Sequence, residues 1–125
     1  MAIKFENFPI YKKVLTHTKN IYSLIDKTEF SKEFELKNQV KRAVLSISNN
    51  IAEGSEYNNN RQFIRFLTYA KGSCAEVRNM LNICYELEFI SQSEKENLVR
   101  ESKDISVSLS KFIHYLQNND KRNSQ

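Results

Sequence analysis

The chain predicts an all-α fold, an antiparallel up-down-up-down four-helix bundle, from three observations. Its 125 residues include only two glycines and one proline. β-Branched residues are scattered rather than gathered into short strands, and apolar residues recur at steps of three and four through four separate stretches. A chain of this length buries a real core as one domain without disulfide or metal staples. Short connections make successive helices antiparallel neighbours, so the bundle is expected over residues 1–117, with 118–125 a disordered polar tail.

In the first helix Phe8, Tyr11, Val14, Leu15, Ile21, Tyr22, Leu24 and Ile25 keep helical spacing, with Asn7 placed as a cap and Pro9 in the first turn. Ser31 can cap the second helix, whose buried face is Leu36, Val40, Ala43, Val44, Ile47, Ile51 and Gly54. The polar run from Glu56 to Asn60 ends it, and Asn59 with Gln62 has capping-box spacing for the third helix, residues 60–88. After it, Ser91 with Glu94, or Ser93 with Glu96, can form another box for the fourth helix. The fourth helix has a narrower stripe of Leu98, Ser102, Ile105, Leu109, Phe112 and Leu116.

The third helix carries two stripes where a surface helix needs one. Phe63, Leu67, Ala70, Cys74, Val77, Leu81 and Cys84 form the first; Phe66, Tyr69, Ser73, Glu76, Met80, Ile83 and Leu87 form the second. At about 100° per residue they lie roughly a quarter turn apart. One stripe closes the bundle, and the other is expected to meet a second subunit through Phe66, Tyr69, Met80, Ile83 and Leu87. The competing reading is that this helix simply occupies the most enclosed position. Gly72 and Ser73 at mid-helix lower helix propensity, which a close approach by another helix would offset.

Composition narrows the function. There is no apolar run of about 18 residues and no signal-peptide core, so neither a membrane span nor a secretory leader is expected, and the cytoplasm is the simplest location. Cys74 and Cys84 stand ten residues, hence about 15 Å, apart on one helix, beyond disulfide reach, and read as small core residues. His17 and His114 are the only histidines, and neither belongs to the Glu-x-x-His motif of a di-iron bundle. With no glycine-rich phosphate loop and no legible catalytic arrangement, no enzyme activity, catalytic residue, metal or cofactor is expected.

Charge is more informative. Residues 37–78 hold Lys37, Lys41, Arg42, Arg61, Arg65, Lys71 and Arg78 against Glu53, Glu56 and Glu76, which is the whole net charge of +4. Lys37, Lys41, Arg42, Arg61 and Lys71 are therefore the candidate phosphate contacts, against the plainer reading of a solvated surface. Arg61, Phe63, Arg65, Phe66 and Tyr69 interleave cations with rings as a strand-stacking surface does, but the helical spacing assigns the rings to packing. Asn50, at the margin of the second helix, is expected to make a structural hydrogen bond. Arg65 and Glu76 are eleven residues, about 16 Å, apart and cannot pair within one copy. Across two copies, or with Glu53, they can fix register.

Two passages carry a resemblance: LKNQVKRAVLSISNNIAEGSEYNNNRQFIRFL from Leu36 to Leu67, and AKGSCAE from Ala70 to Glu76. The combination of NIAEG, Asn50 to Gly54, with FIRFL, Phe63 to Leu67, resembles the bacterial four-helix-bundle family encoded in intervening sequences of large-subunit ribosomal RNA genes. Ser48 stands where many relatives have proline, and Tyr11 takes the place of a first-helix tryptophan. The resemblance implies a ring-like homopentamer related to the accessory variability proteins of diversity-generating retroelements. Those are similar to basic nucleic-acid-binding scaffolds that partner a reverse transcriptase. The expected partners are thus the chain itself, RNA or DNA, and a reverse-transcriptase-like or other protein. A protein-interaction module without nucleic-acid binding is the alternative. For Asn50, Glu53, Gly54, Arg65, Gly72 and Glu76 the resemblance implies structural or interface roles.

Overall fold

Phe8, rather than Asn7, begins the first helix. A 3₁₀ turn, Phe5–Asn7, leads into Phe8, whose extended backbone (φ −70°, ψ 131°) suits a residue before proline, and α1 runs Pro9–Ile25. Phe8 makes no cap hydrogen bond. Its ring lies 6.3 Å from Phe63 and 5.4 Å from Phe112, so apolar anchoring stands in for a side-chain cap worth about 1 kcal/mol. This computed structural model describes residues 4–27 and 33–123, with side chains as far as Asn119. Ser31, the expected cap of the second helix, lies outside the described residues.

The remaining helices are α2, Phe34–Ser55, α3, Asn60–Glu86, and α4, Gln92–Asn123. The Asn59 side chain accepts from the Gln62 N–H at 3.2 Å and starts α3. Ser91 and Glu94 form the full reciprocal box: the Glu94 N–H donates to Ser91 Oγ at 3.1 Å, and the Ser91 N–H to Glu94 Oε1 at 2.8 Å. Between these starts, α3 stops at a Schellman turn. The Phe89 N–H reaches the Cys84 carbonyl at 2.9 Å and the Glu88 N–H the Tyr85 carbonyl at 3.0 Å. Glu88 takes the left-handed conformation there (φ 64°) that glycine usually supplies. α4 continues past Asn118 to Asn123, so the expected irregular tail is helical as far as 123. No glycine or proline interrupts that stretch, and Asn118 meets His114 one turn back at 3.4 Å.

Pairs of contacts at opposite helix ends fix the topology. Ser46 meets Ser73 while Gly54 meets Phe63 and Phe66; Cys74 meets Ser102 while Asn60 meets Leu116; Lys13 meets Asp104 while Lys27 meets Glu94. α2 and α3, α3 and α4, and α1 and α4 are therefore antiparallel, with α1 also packed on α2, as the sequence predicts. Val14, Ile21, Ile25, Val44, Ile47, Ile51, Leu67, Leu81, Ile105 and Leu109 fill the core. Ile10 and His17 join it on α1, whereas Leu15, assigned inward from its spacing, is exposed.

α3 shows how its two stripes are used. The first is buried throughout, and burial pushes the Cys74 and Cys84 thiols up to about 11. The second is divided: Phe66, Ser73 and Met80 turn towards α2, while Tyr69, Glu76, Ile83 and Leu87 stay exposed. Met80, 8% exposed, closes the α2–α3 seam and is too covered to supply the intersubunit contact expected of it. The close helix approach also falls elsewhere than expected. A Cβ on Gly54 would stand 2.6 Å from Phe66 Cβ, but one on Gly72 would meet nothing within 4 Å. Ser73 does meet α2, donating to Ser46 Oγ at 2.8 Å.

Candidate functional site

The sequence candidates for phosphate contact divide over several faces, because successive residues of one helix point about 100° apart. Lys41 turns towards α1, its ammonium 5.0 Å over the Tyr22 ring, and Lys37 lies one turn earlier on that flank. Arg42 points the other way, lining a cleft of about 360 Å³ between α2 and α3 with Gln39, Ser46, Glu76 and Met80. Arg61 is exposed in the first turn of α3. Lys71 lies on the α4 side of α3, in the same angular sector as Arg78, whose guanidinium reaches Ser102 of α4.

What these cations share is electrostatic. Among the described residues the ion pairs are Lys13–Asp104 at 3.0 Å and Lys27–Glu94, and a His17–Glu101 hydrogen bond of 2.7 Å lies between them. Each ties α1, or the turn after it, to α4. Lys27, and then the Ser91 N–H, hold the Glu94 carboxyl below the usual carboxylate range. No carboxylate comes within ion-pair distance of Lys37, Lys41, Arg42, Arg61, Arg65, Lys71 or Arg78 among the described residues. The positive field of α2 and α3 is therefore not cancelled locally.

The polar candidates do not make the expected contacts with one another within the chain. Asn50 bonds inside its own helix, donating to the Ser46 carbonyl at 2.8 Å and to Ser46 Oγ at 3.1 Å. Because Ser73 donates to the same Ser46 oxygen, Asn50 braces the α2–α3 contact. Arg65 donates through Nε to Tyr69 Oη at 2.7 Å, with its guanidinium carbon 5.7 Å from that ring, rather than pairing with Glu53. Glu53 and Glu76 are both exposed, and Glu76 lines the cleft opposite Arg42.

Next to Arg65 stands an aromatic ladder. Tyr57 stacks on Phe66 at 5.3 Å (interplanar 17°), and Phe66 meets Tyr69 edge to face at 5.7 Å. Phe66 is half-buried over Gly54, whereas Tyr69 is 45% exposed. Ile83 and Leu87, 37% and 53% exposed, continue the outer row of α3 beyond Glu76. Tyr57 belongs to this surface but lies in the polar turn after α2, where helical periodicity gives no signal.

The sequence of this bundle matches the family model described as 23S rRNA-intervening sequence protein over residues 6–111. The chain belongs to that family. A solved structure similar to this intervening-sequence protein comes from Bacteroides thetaiotaomicron VPI-5482, a protein of unknown function from the S23 ribosomal protein family. The two share 25% identity with a TM-score of 0.75, covering 83% of this chain and 97% of that one. No curated protein matches.

One polar cluster of the intervening-sequence protein escaped the sequence reading. His17 is 1% exposed, and its Nδ1 lies 2.7 Å from Glu101 Oε1, while Asn20 Nδ2 donates to Glu101 Oε2 at 2.6 Å. With Glu101 ionised, Nδ1 carries the proton and donates, and Nε2 faces the interior with no partner among the described residues. Burial lowers the imidazole pKa below its ordinary value despite the Glu101 contact. The signal was available: His17 falls three residues after Val14 and four before Ile21, on the buried stripe. No helix among the described residues is long and apolar enough to cross a membrane.

Proposed function

We propose that this intervening-sequence protein is a non-enzymatic, cytoplasmic, self-associating helical scaffold that binds nucleic acid through the cationic side formed by α2 and α3. The observation that carries this reading is the segregation of ion pairs. Among the described residues the carboxylates that pair with cations, Asp104 and Glu94, do so along the α1–α4 contact, while no cation of α2 or α3 has such a partner. Such a field attracts a polyanion without a shaped pocket, and self-association multiplies it. The exposed row of Tyr69, Ile83 and Leu87 supports the association, and the resemblance to accessory variability proteins supports a ring of five copies. That resemblance also supports a reverse-transcriptase-like partner. The family's description makes RNA the first nucleic acid to try.

The test is a mobility-shift titration with single-stranded RNA and DNA between 50 and 200 mM salt. Binding at the low end that weakens steeply with salt is expected, and charge reversal of Lys37, Lys41 and Arg61 together should weaken it further. Absence of binding by the unaltered protein at 50 mM overturns the reading. A second reading, a protein-interaction module without nucleic acid, draws on the same exposed apolar row. It is favoured if the purified protein carries a protein partner and shows a low ratio of absorbance at 260 to 280 nm.

A further inference from the structure

Between α3 and α4, on the side away from α2, runs an open groove of about 490 Å³. Its cations are Arg78 from α3 and Lys95, Arg100 and Lys103 from α4, with Asn82 between them. One carboxylate, Glu96, lines it as well, and accepts from Gln92 at 3.0 Å rather than from a cation. Among the described residues none of the four cations has a carboxylate within ion-pair distance. Three are tethered otherwise: Arg78 Nη1 lies 3.5 Å from Ser102 Oγ, Arg100 Nη1 lies 3.2 Å from Asn97 Oδ1, and the Lys95 ammonium stands 4.6 Å over the Tyr85 ring, while Lys103 is exposed. Ser102 in turn donates to the Cys74 carbonyl at 3.0 Å, fixing the register that brings the two helices' charges together.

We infer that this groove seats a phosphodiester backbone, with the four cations on successive phosphates of one strand. The inference rests on the nucleic-acid reading above but moves the contact from the α2 side of α3 to its α4 side. Lys95 to Lys103 spans eight residues, about 12 Å of helix axis. Phosphates along one strand of a duplex advance about 3.4 Å each along its axis and stand further apart on an extended single strand, so at most three or four fall within the groove. The arginine forks suit paired phosphate oxygens, and the walls of a groove concentrate the field of charges that an open surface would leave screened. Lys71 lies two turns before Arg78, about 20° away in direction, and continues the cationic line along α3. Of the sequence candidates, it is the one on this face.

The test measures fluorescence anisotropy of a labelled single-stranded RNA 12-mer against salt, with light scattering and circular dichroism as controls for assembly and fold. Four contacts on a single strand give a slope of log K against log salt of about −3, or roughly fiftyfold between 50 and 200 mM. Arg100→Gln with Lys103→Gln, both exposed, should flatten that slope by about 1.4 and weaken binding at 50 mM by about tenfold or more. Arg78→Gln, which keeps a donor for Ser102, should act in the same direction. Lys12→Gln with Lys19→Gln, removing the same charge from exposed positions on α1, should leave the slope unchanged. Equal losses in the two double variants overturn the groove while leaving nucleic-acid binding intact. Where the unaltered protein binds no RNA, the nucleic-acid reading falls and inorganic pyrophosphate decides the groove. Amide NMR shifts confined to Arg78, Lys95, Arg100 and Lys103 sustain a phosphate seat, and their absence overturns it.

Discussion

At His17 the packing of α1 against α4 buries an imidazole whose outer nitrogen has Glu101 and whose inner nitrogen has no partner among the described residues. Protonating Nε2 would place both a charge and an unpaired N–H in the apolar interior. The folded imidazole therefore has the lower pKa, and the unfolded chain takes up the proton more readily. The sign follows: the stability held by neutral His17 is complete above about pH 6.5 and is lost as pH falls through that value towards the folded pKa. Urea midpoints of the unaltered protein should fall between pH 7.5 and 5.5, and His17→Leu should lack that component. An equal acid loss in both proteins would remove the assignment to His17. Lys13, Asp104 and Glu101 face the same seam and are all retained in the variant, so their contributions appear in its own profile. Subtracting that profile isolates the histidine.

Helix spacing in α2, α3 and α4, and the starts of α3 and α4, were the parts most legible in the sequence. The Asn59 cap and the Ser91–Glu94 box depend on side chains reaching their own backbone three residues away, so local spacing suffices to find them. α1 was misjudged at its start because Phe8 is held by rings from two distant helices. The two glycines show the same division. Spacing puts Gly54 on the buried face of α2 and leaves Gly72 off both stripes of α3, but it does not show how closely Phe66 presses on the first or that the second borders open space. Gly54→Ala should cost about 1–3 kcal/mol through overpacking, offset by up to about 1 kcal/mol of helix propensity. Gly72→Ala should instead stabilise by about 0.5–1 kcal/mol. Denaturant midpoints measure both, and a stabilised Gly54→Ala would show that the seam between α2 and α3 can open without loss.

For the whole molecule, the outer row of α3 decides whether the bundle is sufficient alone. Tyr69, Ile83 and Leu87 lie in water in the single chain, flanked by Glu76, while Phe66 and Met80 of the same sequence stripe are engaged within it. Sequence periodicity had merged these groups because both fall within the wide arc that α3 presents towards α2 and beyond it. The α3–α4 groove was illegible for a related reason: its charges converge only once the register between two helices is set. Tyr69→Glu with Leu87→Glu should reduce the solution mass to that of one 14.7 kDa chain while leaving helicity unchanged, as read by light scattering and circular dichroism. A single-chain mass for the unaltered protein would return the row to ordinary exposed surface. The two thiols of α3 add a means of timing these events. Only a thiolate reacts with an alkylating reagent, and Cys74 and Cys84 are both enclosed and held protonated at neutral pH. Modification must wait until α3 leaves its neighbours. The rate at which the protein consumes such a reagent is therefore a clock for its own opening, supplied by the native sequence without any engineered label.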